Sequence, residues 1–276
     1  YEKRLDQYKA ESDFDNEPPL NGYVTQGGLF VAEELIRRGR TVAILQDTKS
    51  RLFKQIDQTV TDKTIAFGIS TLSGNMLRHA MDIAKYIRSK YPSIPIIWGG
   101  SHVTAVRQVT LEHTLVDYIV WGEGEHVLPD LLEAIIAGKG FEKIKGIGYK
   151  VGDKTFITAK SEYNDIERTF NLPYHLLDMN KYARKMLIGG DRWFPLITSR
   201  GCPFKCKFCH NTSEVYPMRL MRLHTLEHIV SNINKLIDDY DCDAVGFEDE
   251  LTAANDKRML EICEAIKTGV KKQLSY

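Results

Sequence analysis

Short runs of β-branched and aromatic residues alternate with helical spans along the first half of the chain, and few folds accommodate that alternation. The runs lie at residues 41–45, 64–69, 94–98 and 116–121. Each is apolar almost throughout, as strands covered by helices on both faces are. Between them, Met76, Ala80, Ile83, Ala84 and Ile87 recur at helical spacing, as do Val127, Leu131, Leu132 and Ile135. An earlier set, Leu29, Ala32, Leu35 and Ile36, keeps the same period and stops at Gly39, a helix terminator. Strands alternating with helices predict a parallel α/β sheet with ligands beyond the carboxyl ends of its strands. This first domain is expected over residues 22–140.

A length of 276 residues suits two domains. The 37 basic residues balance 37 acidic ones, and the sequence pI is near 7.2. That balance leaves no electrostatic footprint for nucleic acid or an anionic membrane. With 43% hydrophobic residues the chain can bury ordinary cores, and wholesale disorder is excluded. Apolar runs such as residues 94–98 are far too short for a membrane span, and no signal peptide opens the chain. Residues 1–21 form a polar segment that contains Glu17-Pro18-Pro19 and carries no strand signal.

Residues 147–157 read as a β-hairpin turning at Gly152-Asp153. Together with a linker whose large apolar residues, such as Leu172 and Tyr174, are expected to dock on a neighbour, they fill residues 141–190. A second αβ unit is expected over 191–276. It begins with a strand at 194–199 that feeds a cysteine-rich loop, then a helix at about 226–237, a strand at 244–247 and a helix at about 257–267.

Three of five cysteines fall within eight residues, in Cys202-Pro203-Phe204-Lys205-Cys206-Lys207-Phe208-Cys209. This C-x3-C-x2-C spacing is not a disulfide framework. Structural zinc takes four protein ligands, usually as paired C-x2-C knuckles, so a zinc reading needs His210 or a distant residue as the fourth. Three thiolates with one open metal position suit an iron–sulfur cluster better. Cys242 and Cys263 lack ligand spacing and are expected to be buried.

Two other regions carry polar chemistry at strand ends. Glu248, Asp249 and Glu250 end the 244–247 strand, where a cationic amine would bind, or else form a solvated acidic turn. Ser70-Thr71-Leu72 and Gly99-Gly100 end two adjacent strands, where small residues let a bulky ligand approach the backbone. The plain alternatives are strand-end caps for Ser70 and Thr71, a tight turn for the glycines and a helix cap for His102. Glu123 and Glu125 would favour the positive end of the helix that follows them. Arg219 and Arg222 would order the site or form surface ion pairs.

The cysteine spacing, with Phe208 just before the last cysteine, resembles the radical S-adenosylmethionine superfamily. The resemblance implies that Cys202, Cys206 and Cys209 hold a [4Fe–4S] cluster whose fourth iron is chelated by S-adenosylmethionine. It also implies that Phe208 packs near the adenine and that Glu248 or Asp249 meets the amino group. The S-x-L and Gly-Gly pair, with residues 98–104 and Gly122-Glu123-Gly124-Glu125, resembles a cobalamin-binding Rossmann-like domain. By that resemblance Ser70, Thr71, Leu72, Gly99, Gly100, Ser101, His102, Gly122, Glu123, Gly124 and Glu125 contact cobalamin. Over residues 22–268 the chain is similar to the cobalamin-dependent radical S-adenosylmethionine enzymes, the group that includes the anaerobic magnesium-protoporphyrin ester cyclase. The implied architecture is a Rossmann-like parallel-sheet domain followed by the first part of a partial TIM-type (β/α) barrel. Two features depart from the pattern. The D-x-H-x-x-G signature is absent, which implies cobalamin without a histidine lower ligand, and no apolar run precedes Gln26 where a first strand belongs.

The resemblance implies methyl transfer from methylcobalamin to an unactivated carbon, on a substrate radical generated by cleavage of S-adenosylmethionine. Cyclisation, rearrangement or oxidation is the alternative within the group, and a non-catalytic metal- or cobalamin-binding module is the alternative of another class. A small-molecule or peptide substrate, a one-electron donor such as flavodoxin or ferredoxin, and the reducing cytoplasm of an anaerobe are expected. No nucleic acid or membrane partner is expected. The sequence starts without Met, and the 76 residues after Arg200 suffice for about two strand–helix units, so further protein is expected beyond Tyr276.

Overall fold

The computed structural model describes residues 24–47, 49–168, 171–183, 185, 190–209, 220–252 and 255–274. Strands β1 (Phe67–Ser70), β2 (Ile96–Gly99) and β3 (Tyr118–Val120) pair in parallel in that order. Helices α1 (Gln26–Arg37), α2 (Lys49–Thr59), α3 (Asn75–Lys90), α4 (Ser101–Ala105), α5 (Arg107–Glu112) and α6 (Val127–Ala137) surround them. The two-residue period of a strand divides the apolar side chains between the faces. Ile96, Trp98 and Ile119 join Ala80, Ala84 and Ile87 of α3 on one side. Ile97 and Val120 join Leu35 of α1 and Leu131 of α6 on the other. Burying each such side chain contributes about 1.5–3 kcal/mol.

The hairpin extends this sheet. β4 (Ile147–Val151) pairs antiparallel with β3, and β5 (Lys154–Ile157) with β4, so the sheet continues past residue 140. Gly152 at the turn has φ +57°, the left-handed region a tight hairpin needs.

Residues 41–45, predicted as a strand, form none. Among the described residues β1 is the outer strand of the sheet, so an edge is there for the run to join. The side chains of the run are instead divided among three cores: Val42 packs against the one that holds Leu35, Ile44 against the one that holds Phe30 and Leu45 against the one that holds Ile69. The position implied for a first strand before Gln26 lies largely outside the described residues, as does the polar segment 1–21.

The second unit pairs β6 (Trp193–Leu196) in parallel with β9 (Ala244–Phe247), with α7 (Leu226–Tyr240) as the crossover and α8 (Asp256–Gly269) after it. β7 (Ser199–Arg200) and β8 (Arg222–Leu223) form a short antiparallel pair beside the cysteine loop. Thr225 caps α7 by accepting the His228 N–H at 3.2 Å, and Asn255 caps α8 through the Lys257 N–H at 2.9 Å. The connecting segment docks as expected, placing Leu172, Tyr174, Leu177, Met179 and Tyr182 in one core with Phe194, Ile229, Ile233 and Val245. Val24, Leu29 and Phe30 enter the same core, so α1 faces two interiors. Among the described residues no helix is long and apolar enough to cross a membrane.

Candidate functional site

At the carboxyl ends of β1 and β2 the backbone forms a small cradle. The Thr71 N–H donates to Gly99 O at 3.1 Å, and the His102 N–H donates to Thr71 O at 3.3 Å. Gly100 has φ +93°, and a Cβ there would lie 2.6 Å from Thr71 O. Only glycine fits, on conformation and on space. Ser70 and Leu72 are exposed on the rim, and Ser101 is half-buried. Ser73 Oγ and His102 Nδ1 are 2.9 Å apart, and burial pushes the His102 imidazole below its ordinary range. Thr71 is buried, and its hydroxyl donates to Leu72 O at 3.0 Å. It therefore shapes the cradle from below and does not line it. The exposed Leu72 and the small residues around it fit a bulky apolar ligand on the strand ends.

The cysteine loop leaves β7. Gly201 is buried with φ +92°, and its N–H donates to Glu250 Oε2 at 3.2 Å. Asp249 accepts from the Thr198 N–H at 2.6 Å, the Ser199 N–H at 3.0 Å and the Thr198 hydroxyl. Asp249 and Glu250 thus fix Thr198, Ser199 and Gly201, the stretch that leads from β6 through β7 into the loop. Asp249, implied as a contact for an amino group, has its carboxylate taken up by this backbone, whereas Glu248 is exposed. Cys202, Cys206 and Cys209 are in no disulfide and are half-buried or exposed, and the Cys209 N–H donates to Cys206 O at 3.0 Å. Phe208 is 94% exposed. Three cysteine thiols on one loop form a donor set that fits an iron–sulfur cluster. His210 and Arg219 lie outside the described residues. Cys242 is fully buried, with its thiol pushed up to about 11 by burial, but Cys263, expected to be buried too, is only half-buried on α8.

Between these two regions runs a buried ion network. Arg200 Nη1 donates to Glu125 Oε1 at 2.5 Å and lies 3.9 Å from Glu123 Oε1. Arg222 holds Glu123 with both terminal nitrogens and donates to Asn164 O at 2.8 Å. Asn164 closes the ring, its N–H donating to Glu123 Oε2 at 2.7 Å and its side-chain amide to Glu125. Arg200 also lies over the Phe30 ring at 4.2 Å, and Arg222 over Tyr163 at 4.8 Å. All four charged side chains are at most 13% exposed. Gly122 and Gly124 space the two glutamates, and the Gly122 N–H donates to Thr104 Oγ1 at 3.0 Å. The carboxylates implied as cobalamin contacts therefore face the second unit. Arg222 is a buried partner here, not a surface one. Nothing in the motif spacing points to Arg200 or Asn164, although Arg200 stands two residues before Cys202.

Fold and site together define a class: a parallel α/β sheet joined by buried ion pairs to a second αβ unit that carries three cysteines on one loop. Residues 20–132 match the model of the B12 binding domain family. The chain is 31% identical over 193 residues to the anaerobic magnesium-protoporphyrin IX monomethyl ester cyclase of Cereibacter sphaeroides, covering 67% of this chain and 30% of that protein. It is 26% identical over 252 residues to the hopanoid C-3 methylase of Methylococcus capsulatus, covering 88% of this chain and 45% of that protein. The structure of the cobalamin-dependent radical enzyme OxsB, with aqua-cobalamin and S-adenosylmethionine bound, has the same fold. The TM-score is 0.69 at 18% identity, over 95% of this chain and 37% of that one. The chain belongs to the radical S-adenosylmethionine proteins that carry a B12-binding domain. It spans less than half the length of each of these relatives.

Proposed function

We propose that this chain is the cofactor-holding part of a cobalamin-dependent radical S-adenosylmethionine enzyme that methylates an unactivated carbon. One observation carries the reading: the strand leading to Cys202 is fixed, through buried Arg200 and Arg222, to the loop that follows β3 of the B12-binding sheet. That joint sets the distance between the two cofactor regions, and orientation of two reactive groups is the part of the chemistry a protein supplies. When bound, the cluster and S-adenosylmethionine supply a 5′-deoxyadenosyl radical, and methylcobalamin supplies the methyl group. The chain's own residues hold and orient. Cys202, Cys206 and Cys209 ligate, and Phe208 offers a ring to the adenine. Glu248 accepts the amino group, and the β1 and β2 ends seat the nucleotide tail of cobalamin. No histidine here has the sequence context of a lower cobalt ligand. A small-molecule or peptide substrate and an electron from a flavodoxin or ferredoxin in a reducing cytoplasm complete the reading.

The similarity to a cyclase supports a second outcome, in which the substrate radical closes a ring or is oxidised. Anaerobic isolation with cobalamin supplied tests the common ground. About four iron with matching sulfide and about one cobalt per chain are expected. One zinc without sulfide would leave a binding module. Labelled S-adenosylmethionine then separates methyl transfer from the cyclase outcome.

A further inference from the structure

A second cluster of metal-binding side chains lies apart from the cysteine loop. Glu167 stands on the short 3-10 turn Ile166–Arg168 of the connecting segment. His224 and His228 flank Thr225 at the start of α7. One ligand atom from each of the three lies within 4.8 Å of the others. Nδ1 of His224 is 2.9 Å, and Nδ1 of His228 3.9 Å, from the same oxygen, Oε1 of Glu167.

The surroundings suit an ion. The two imidazole side chains are 0% and 5% exposed and the carboxylate 33%, so the site is dry on the nitrogen side and open to entry on the oxygen side. Burial favours neutral imidazole, the form that ligates a metal. Thr225 fixes the carboxylate, its N–H donating to Oε1 at 3.0 Å and its hydroxyl to Oε2 at 2.8 Å, as outer-shell groups do around metal ligands. Two imidazoles and one carboxylate are a donor set for borderline-soft divalent ions, with a fourth position left to water.

We propose that Glu167, His224 and His228 form a second metal site that takes a divalent ion of the zinc class. The rings now stack at 4.0 Å between centroids, 23° apart. Coordination therefore turns each ring about its Cβ–Cγ bond, a soft torsion, without moving the backbone. The positive charges of Arg200, felt at His224, and of Arg258, which donates to His224 O, oppose the ion and hold its affinity below that of an all-thiolate site. An ion here would pin the connecting segment to α7, one strand from the Arg222 clamp.

The test uses the whole chain with Cys202→Ser, Cys206→Ser and Cys209→Ser, so that no cluster thiol can hold the ion. Zinc is added in slight excess, the protein is desalted, and metal per chain and thermal midpoint are measured with and without chelator. About one zinc retained and a midpoint raised by zinc are expected. His228→Gln in the same background should weaken retention at least about tenfold. Cobalt(II) should give the visible bands of a low-coordinate nitrogen and oxygen site. No retained zinc in a chain folded by circular dichroism would overturn the proposal. So would retention unchanged in both His228→Gln and Glu167→Ala. The outcome is independent of the radical reading, because the cluster ligands are absent throughout.

Discussion

Arg200 Nη1 lies 2.5 Å from Glu125 Oε1, joining the residue two before Cys202 to the loop that follows β3. A buried pair is worth little net when intact, but its loss strands a charge in a dry place. Glu125→Ala should therefore lower unfolding free energy by about 3–5 kcal/mol. Replacing both partners together, Arg200→Met with Glu125→Leu, should cost much less. Urea unfolding of Arg200→Met, Glu125→Leu and the double variant measures the coupling, and strictly additive losses would show that the pair is not coupled.

Gly100→Ala should damage the cradle without touching the cysteine loop. The new Cβ would strike Thr71 O at 2.6 Å in a left-handed conformation. A loss of more than about 2 kcal/mol is expected, with cobalt retention falling while iron content holds. Equal loss of both metals would mean that the sheet and the loop fail together.

Asp249→Asn should act on the strand end. Its carboxylate accepts two backbone N–H groups and the Thr198 hydroxyl, and the amide can answer only part of that. A loss of about 1–3 kcal/mol is expected, with reduced iron incorporation. Phe208→Ala is the contrast. The ring is 94% exposed, so stability should stay within about 0.5 kcal/mol while S-adenosylmethionine binding by the reconstituted protein weakens. Unchanged binding would remove Phe208 from the site.

Acidification should destabilise the metal-free protein before the carboxylates titrate. Burial first, then neighbouring His228, push His224 down to about 4, and the hydrogen bond to Glu167 recovers only part. In the unfolded chain the imidazole takes its proton near 6.5. From about pH 6.5 to 4 the unfolded state thus holds more protons, and stability falls as pH falls. His224→Gln should make that fall shallower, with His102 and His228, also held down by burial, supplying the rest. An equally steep wild type and variant would assign the slope to other groups.

The alternation at residues 64–69, 94–98 and 116–121 was enough to read the parallel sheet, because strands buried on both faces must be apolar throughout. The run at 41–45 looks the same, yet its side chains are drawn into three different cores, and a single run does not say which interior each residue enters. The cysteine spacing was legible for a similar reason, since all three donors sit on one loop. The Arg200, Glu125 and Asn164 ring was not, because its members are 36 or more residues apart and meet only through the fold. Glu123 and Glu125 were visible as a motif, but their partners decide what they do.

Helix α1 gives Leu29 and Phe30 to one interior and Leu35 to the other, while Gln26 Nε2 donates to Pro195 O at 2.8 Å. A hinge between the lobes would have to peel that helix from one of its two beds. The described parts should therefore melt in a single cooperative step. Any motion that opens space between the strand ends and the cysteine loop then belongs to loops, with the lobes moving as one piece.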